Sequence, residues 1–222
     1  MTRPAAILFD VNETLSDMAP MADRFAEVGA APGAAKLWFA ALLRDGFALT
    51  AAGENPAFAD VGASVLRGLL RGEELDRGLD AAVQHIMDGM SALELHPDVV
   101  PGIGALKAGG FRLATLSNGS TALADKLFSN AGVRDDVEQL LSVTDAPAWK
   151  PDARAYRYAA GQLGVDVSEL LLVAVHPWDI HGASSAGAQT AWINRSGGAY
   201  PDHFRPADHT VRALPELAEV LV

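Results

Sequence analysis

With 222 residues, half of them hydrophobic, the chain can bury a substantial core in one good-sized domain or in a domain carrying an insertion. It contains no cysteine, which excludes disulfides, thiolate metal sites and a cysteine nucleophile, and suits a reducing, cytoplasmic location. Its 17 basic against 28 acidic residues give a formal net charge of -11, which argues against nucleic acid and anionic membranes as partners and leaves a small molecule as the expected ligand.

The chain opens with the apolar run Ala5-Ala6-Ile7-Leu8-Phe9, which has the length and composition of a buried strand. It is too short, and lacks the cleavage pattern, for a secretory signal. The run ends in Asp10, followed by Val11, Asn12, Glu13 and Thr14. A carboxylate at a strand exit, with turn formers behind it and a threonine four positions on, is how a chain presents an aspartate for nucleophilic attack. It is equally how an aspartate ends a strand.

From Asp17 to about Leu95 no strand pattern stands out, while helical spacing recurs in Leu37, Phe39, Leu42 and Leu43, then Val61, Val65, Leu66, Leu69 and Leu70, then Leu79, Val83, Ile86, Met87 and Met90. Gly46, Gly53 to Pro56 and Gly72 read as helix breakers or caps. The apolar stretch Ala30 to Leu43 is interrupted by Pro32, Gly33 and Lys36 and falls short of the ~20 residues that span a bilayer. With no repeat or polar linker in the chain, this helical block is expected to be a cap, residues 17–95, inserted into a core formed by residues 1–16 and 96–222. Exposed apolar residues on such a block are compatible with a homodimer.

After His96-Pro97, strand-like runs alternate with helices. Arg112 to Leu116, Leu140 to Val143, Leu170 to Val175 and Thr190 to Ile193 read as strands. Pro101 to Ala108, Thr121 to Ala131 and Asp152 to Leu163 read as helices closed by glycines, and a further helix is expected over Ile180 to Ala186. The whole predicts a doubly wound, Rossmann-like α/β core with a parallel sheet and an inserted helical cap. Ligands of such sheets sit at the carboxyl ends of the strands. There the prediction gathers Asp10, Ser117-Asn118-Gly119, Lys150 and the segment His176 to Asp179. His181, His203 and His209 lack ligand spacing, so no zinc site is expected. Arg195 either reaches the cleft or stays solvated.

The order FDVNETL, LSNGS, WKPDARAY, HPWDIHGA resembles the four motifs of the haloacid dehalogenase superfamily, and most nearly its L-2-haloacid dehalogenase (type II) group. The resemblance implies a hydrolase in which Asp10 displaces halide from a small 2-haloacid and forms an ester that water hydrolyses, with no cofactor. It implies that Lys150 keeps Asp10 ionised, that Thr14 and Ser117 hydrogen-bond its carboxylate, and that Asp179 orients Lys150 or the hydrolytic water. Tyr156 would close the polar network, while Val11, Asn12, Asn118, Phe39, His176 and Trp178 would line the substrate pocket.

Two departures qualify this. The group carries a cap arginine after a Leu-Trp pair, but Leu37-Trp38 is followed here by Phe39, and Arg44 lies too far along the helix to replace it. In the fourth motif a serine and an asparagine give way to Ala174 and His176. Trp38, Phe39 and His176 would then reshape the halide clamp, and a histidine there would make activity titrate near neutrality. A magnesium-dependent phosphatase of the same superfamily is the alternative, against which stands Asn12, where the phosphatases carry a second acid. A degenerate member that only binds a small carboxylate is a further alternative, opposed by the intact set Asp10, Thr14, Ser117, Lys150 and Asp179.

Overall fold

Every residue of the first strand, β1 (Ala6–Phe9), is buried, because it lies mid-sheet with both faces covered. The computed structural model describes residues 2–221. The other strands are β2 (Arg112–Ser117), β3 (Gln139–Ser142), β4 (Leu170–Ala174), β5 (Gln189–Ile193) and β6 (His209–Val211). All pair in parallel in the order β3-β2-β1-β4-β5-β6. Phe9 stands level with Thr115 of β2 and Val173 of β4. The sheet winds outward from β1 in both directions, so its switch point lies between β1 and β4.

Between β1 and β2 run α1 (Met21–Ala26), α2 (Ala34–Ala51), α3 (Phe58–Leu70), α4 (Leu79–Met90) and α5 (Val99–Ala108). The first four pack chiefly on one another, whereas α5 packs on the last helix, α9 (Leu214–Leu221). The remaining helices are α6 (Thr121–Asn130), α7 (Ala153–Leu163) and α8 (Pro177–Ala186). Local signals set their ends: Ser120 caps α6 by accepting from the Leu123 amide, Asp152 caps α7 through Arg154, and left-handed Gly164 and Gly187 close α7 and α8. Among the described residues no helix is long and apolar enough to cross a membrane.

Side chains alternate between two cores. Ile7, Phe9, Leu113, Leu171 and Val173 join α5, α6 and α9 on one face. Ala6, Leu8, Leu116 and Leu172 face the other, where one continuous apolar cluster runs through Trp149 into Trp38, Leu42, Phe58 and Leu66 of the helical block. Trp149 is one joint between sheet and block, beside Asn55, whose side-chain amide donates to Val143 O and Ala146 O. The Trp149 ring stacks on Phe58 at 5.8 Å, and its indole N–H donates to Pro56 O at 2.9 Å.

Gly46 corrects the sequence reading here. It neither breaks nor caps a helix but lies inside α2, where a Cβ would overlap the Trp149 indole. The glycine is needed for close approach, not for turning the chain. Asp179, level with the expected start of its helix, also lies inside it, because Pro177 begins α8 three residues earlier than the pattern suggested.

Since Trp149 is fully buried and carries part of the contact between helical block and sheet, Trp149→Ala is expected to cost about 3–5 kcal/mol. Urea unfolding monitored by circular dichroism checks this, and a loss below about 1 kcal/mol would contradict the joint.

Candidate active site

Asp10 follows β1, 3 % exposed, with its amide donating to Val173 O at 3.0 Å. Both carboxylate oxygens are held: Lys150 Nζ donates to Oδ1 at 2.8 Å and Thr14 Oγ1 donates to Oδ2 at 2.6 Å. Lys150, fully buried, also donates to Asp179 Oδ2 at 2.6 Å. The hydroxyl of buried Tyr156 donates to the other oxygen of Asp179, Oδ1, at 2.6 Å. One ammonium thus bridges two carboxylates at the end of the sheet, and a hydroxyl completes each carboxylate.

The chain delivers these groups from four segments. Thr14 turns back toward Asp10 because Glu13 adopts a left-handed conformation with φ 61°, uncommon for a residue with a Cβ and costing of order 1 kcal/mol or more. Lys150 is aimed by its own backbone: its amide donates to Asn118 Oδ1 at 3.0 Å and its carbonyl accepts from Asn118 Nδ2 at 3.3 Å. Asp179 comes from the first turn of α8 and Tyr156 from the buried face of α7.

The surroundings push the two carboxyls apart. Burial works against ionising Asp10, but the Lys150 charge, His176 and the hydrogen bonds from Lys150 and Thr14 outweigh it and hold the group below the usual aspartate range. For Asp179, burial and the nearby Asp10 charge outweigh Lys150 and raise it. Burial would lower Lys150, yet its two carboxylates raise it, keeping the ammonium charged. Tyr156 is raised well above its ordinary value by burial and by Asp179, so it remains a neutral donor. Asp10 is thereby kept an ionised carboxylate suited to nucleophilic attack, while Asp179 accepts hydrogen bonds on both oxygens.

Two expectations need correcting. Ser117 makes no hydrogen bond to Asp10; its Oγ accepts the Gly119 amide at 2.9 Å, a local serine turn that wins over the longer reach. Trp38 is not in the cleft either, being fully buried among the cap helices with its N–H on Gly62 O. The other expected residues do gather near Asp10. His176 Nε2 lies 3.6 Å from Asp10 Oδ2 and 3.1 Å from Asn12 O. Its ring stacks on Trp178 at 4.9 Å and faces Phe39 at 6.3 Å. Arg44 pairs with Asp45 and points elsewhere.

Val11, Asn12, Ser117 and Gly119 line a cavity of about 20 Å³, room for little more than one water. A groove of about 440 Å³ lined by Met18, Met21, Phe39 and Leu43 reaches Glu13 and His176 from outside. Sequence reasoning missed His96, whose Nε2 lies 3.1 Å from Glu13 O, and left Arg195 undecided; both hold main-chain carbonyls, a task without a motif.

A family model described as haloacid dehalogenase-like hydrolase matches residues 4–187. The chain belongs to the haloacid dehalogenase-like hydrolases. Haloacetate dehalogenase H-2 of Moraxella sp. (strain B) is 31% identical over 100% of this chain and 99% of that protein. An (S)-2-haloacid dehalogenase of Pseudomonas putida is 30% identical, covering 97% of this chain and 96% of its own. Among solved structures, a dehalogenase with an intermediate complex superposes with a TM-score of 0.90 at 29% identity, covering 99% of this chain and 98% of that one. Within this member of the family the donor set does not fit magnesium. Asp10 and Asp179 are both occupied by the Lys150 ammonium, and residues 12 and 175 are asparagine and valine. Among the described residues no cluster of three or more His, Asp or Glu is placed to hold a metal.

Removing Lys150 leaves two buried carboxylates without a cation. Lys150→Met is expected to lose about 3–5 kcal/mol at neutral pH. In the wild type the depressed Asp10 contributes stability above its unfolded value and loses it as pH falls. In the variant both carboxyls are raised, so the deficit should shrink as pH drops from about 8 to about 5. Denaturant unfolding across that range tests this; a pH-independent deficit would contradict it.

Proposed function

We propose that this hydrolase dehalogenates a small 2-haloacid, of the haloacetate or 2-halopropionate class. The observation that carries the proposal is an ionised aspartate at the carboxyl end of the central strand, fixed by a buried lysine and a threonine, with Asn12 where a phosphatase needs a second acid. Full-length similarity to haloacetate and (S)-2-haloacid dehalogenases supports the substrate class.

In this reading an Asp10 oxygen attacks C2, the carbon–halogen bond breaks and the halide leaves with its electron pair. Water then adds to the Asp10 carboxyl carbon. The bond between that carbon and the ester oxygen, which Asp10 had supplied, breaks, releasing a 2-hydroxy acid and a proton and restoring Asp10 with one oxygen from water. Lys150 holds the carboxylate charged and oriented, Thr14 fixes its second oxygen, and Asp179 with Tyr156 holds Lys150 and takes part in the proton balance of hydrolysis. Ser117 and Asn118 act through the shape of their loop, Ser117 on Gly119 and Asn118 on the Lys150 backbone. Val11 and Asn12 bound the small inner cavity, which has room for about one water and must widen to admit the acid, and Phe39, His176 and Trp178 wall the side where the halide departs. The core, residues 1–16 and 96–222, supplies the reacting groups, and the helical cap, residues 17–95, supplies Phe39 and closes the cleft.

Halide release from chloro-, bromo- and fluoroacetate and from both 2-chloropropionate enantiomers tests the proposal, with a phosphate ester and magnesium as control. Halide from at least one acid, lost at least ~1000-fold in Asp10→Asn, is the expected result. Magnesium-dependent phosphate release without halide would sink it.

A further inference from the structure

Three consecutive main-chain carbonyls in the loop after β1 are each held by a side chain from elsewhere. His176 Nε2 reaches Asn12 O at 3.1 Å, His96 Nε2 reaches Glu13 O at 3.1 Å, and Arg195 donates twice to Thr14 O, from its Nε at 3.1 Å and from a terminal nitrogen at 2.8 Å. The middle residue of the three, Glu13, has φ 61°. A side chain in the left-handed region persists when its surroundings over-determine it, and here the fixing comes from three separate parts of the chain.

Arg195 is the strongest of the three. It follows β5, its side chain is four-fifths buried, and its remaining terminal nitrogen donates to Asp98 Oδ1 at 2.8 Å. The second oxygen of Asp98 accepts the Leu214 amide at the start of α9 at 2.8 Å, so the guanidinium is itself anchored to two helices' ends. Residue 14 cannot turn without cost at its side chain either, because Thr14 Oγ1 donates to Asp10 and accepts the Val175 amide at 3.1 Å. A guanidinium fork holds the Thr14 carbonyl and the Asp98 carboxylate in one plane; a lysine ammonium is a single point and cannot.

We propose that Arg195 is a positioning residue: by clamping the Thr14 carbonyl it fixes the left-handed turn at Glu13 and so aims the Thr14 hydroxyl at Asp10. Its link to turnover rests on the proposed roles of Asp10 and Thr14. Without the clamp the turn relaxes, Thr14 swings away, and the carboxylate loses one of its two fixed donors while the substrate pocket beyond Asn12 keeps its walls. The loss therefore falls on kcat and not on KM.

The test uses the full chain as wild type, Arg195→Met and Arg195→Lys, with haloacid turnover, thermal unfolding, and amide exchange over residues 10–16 read by mass spectrometry. Arg195→Met is expected to lower kcat about 100-fold with KM within about threefold, and to speed exchange in that peptide. Arg195→Lys should recover part of the kcat. A folded Arg195→Met with wild-type kcat and exchange, or a loss confined to KM, overturns the proposal. If the methionine variant does not fold, the lysine variant decides: lowered kcat with faster exchange upholds the clamp, and wild-type values in both overturn it. Should the wild type release no halide from any haloacid, the dehalogenase reading falls, while the exchange comparison still decides the clamp.

Discussion

Two carboxylates and one ammonium are buried together at the carboxyl edge of the sheet, and the rest of the site is arranged around that constraint. Burying charge is costly, and removing the one ammonium would leave both carboxylates unpaired. Lys150, between Asp10 and Asp179, meets the requirement with contacts of 2.8 and 2.6 Å, and the hydroxyls of Thr14 and Tyr156 occupy oxygens the ammonium leaves free. The cluster keeps a formal net negative charge. Its two acids respond unequally, Asp10 held low by donors on both oxygens and Asp179 raised by burial beside a like charge. That inequality keeps Asp10 ionised, as the proposed attack on carbon requires.

The sheet topology makes the cluster possible. Because β1 lies between β2 and β4, the chain exits three adjacent strands at one edge, bringing Asp10, Ser117 to Gly119 and His176 to Asp179 together over large sequence separations. Lys150 arrives by a loop after β3, gripped through its backbone by Asn118. The helical block is tied to this edge through Trp149, one residue before Lys150, whose ring fills the space left by Gly46. The same short segment therefore joins the block to the sheet and carries the lysine.

Much of this was legible in the sequence, for identifiable reasons. Five strands stood out because parallel strands buried on both faces are written as unbroken apolar runs. The three-residue β6 at the sheet edge, with one buried position, and the short α9 near the chain end carry too little pattern to find. Asp10, Lys150 and Asp179 were legible because each is a chemically distinctive residue near a predicted strand end, Thr14 because it stands four positions after Asp10, and Tyr156 only through the resemblance of its segment to the family's third motif. Gly46 was misread because the indole it accommodates lies a hundred residues away. Ser117 was misassigned because a serine beside a turn bonds the amide two residues on before reaching across a cleft. His96 and Arg195 act on main-chain carbonyls, which every residue carries, so no spacing reveals them.

In the proposed reaction the Asp10 carboxylate itself, not an activated water, makes the first bond to carbon. Single turnover in heavy-oxygen water, with enzyme in excess over haloacid, tests it by mass spectrometry of the peptide containing Asp10 and of the hydroxy acid. Attack by Asp10 predicts one heavy oxygen in that peptide and none in the first hydroxy acid, because the product oxygen comes from the enzyme. A labelled hydroxy acid beside an unlabelled Asp10 would contradict the account and mean that water attacks the substrate directly.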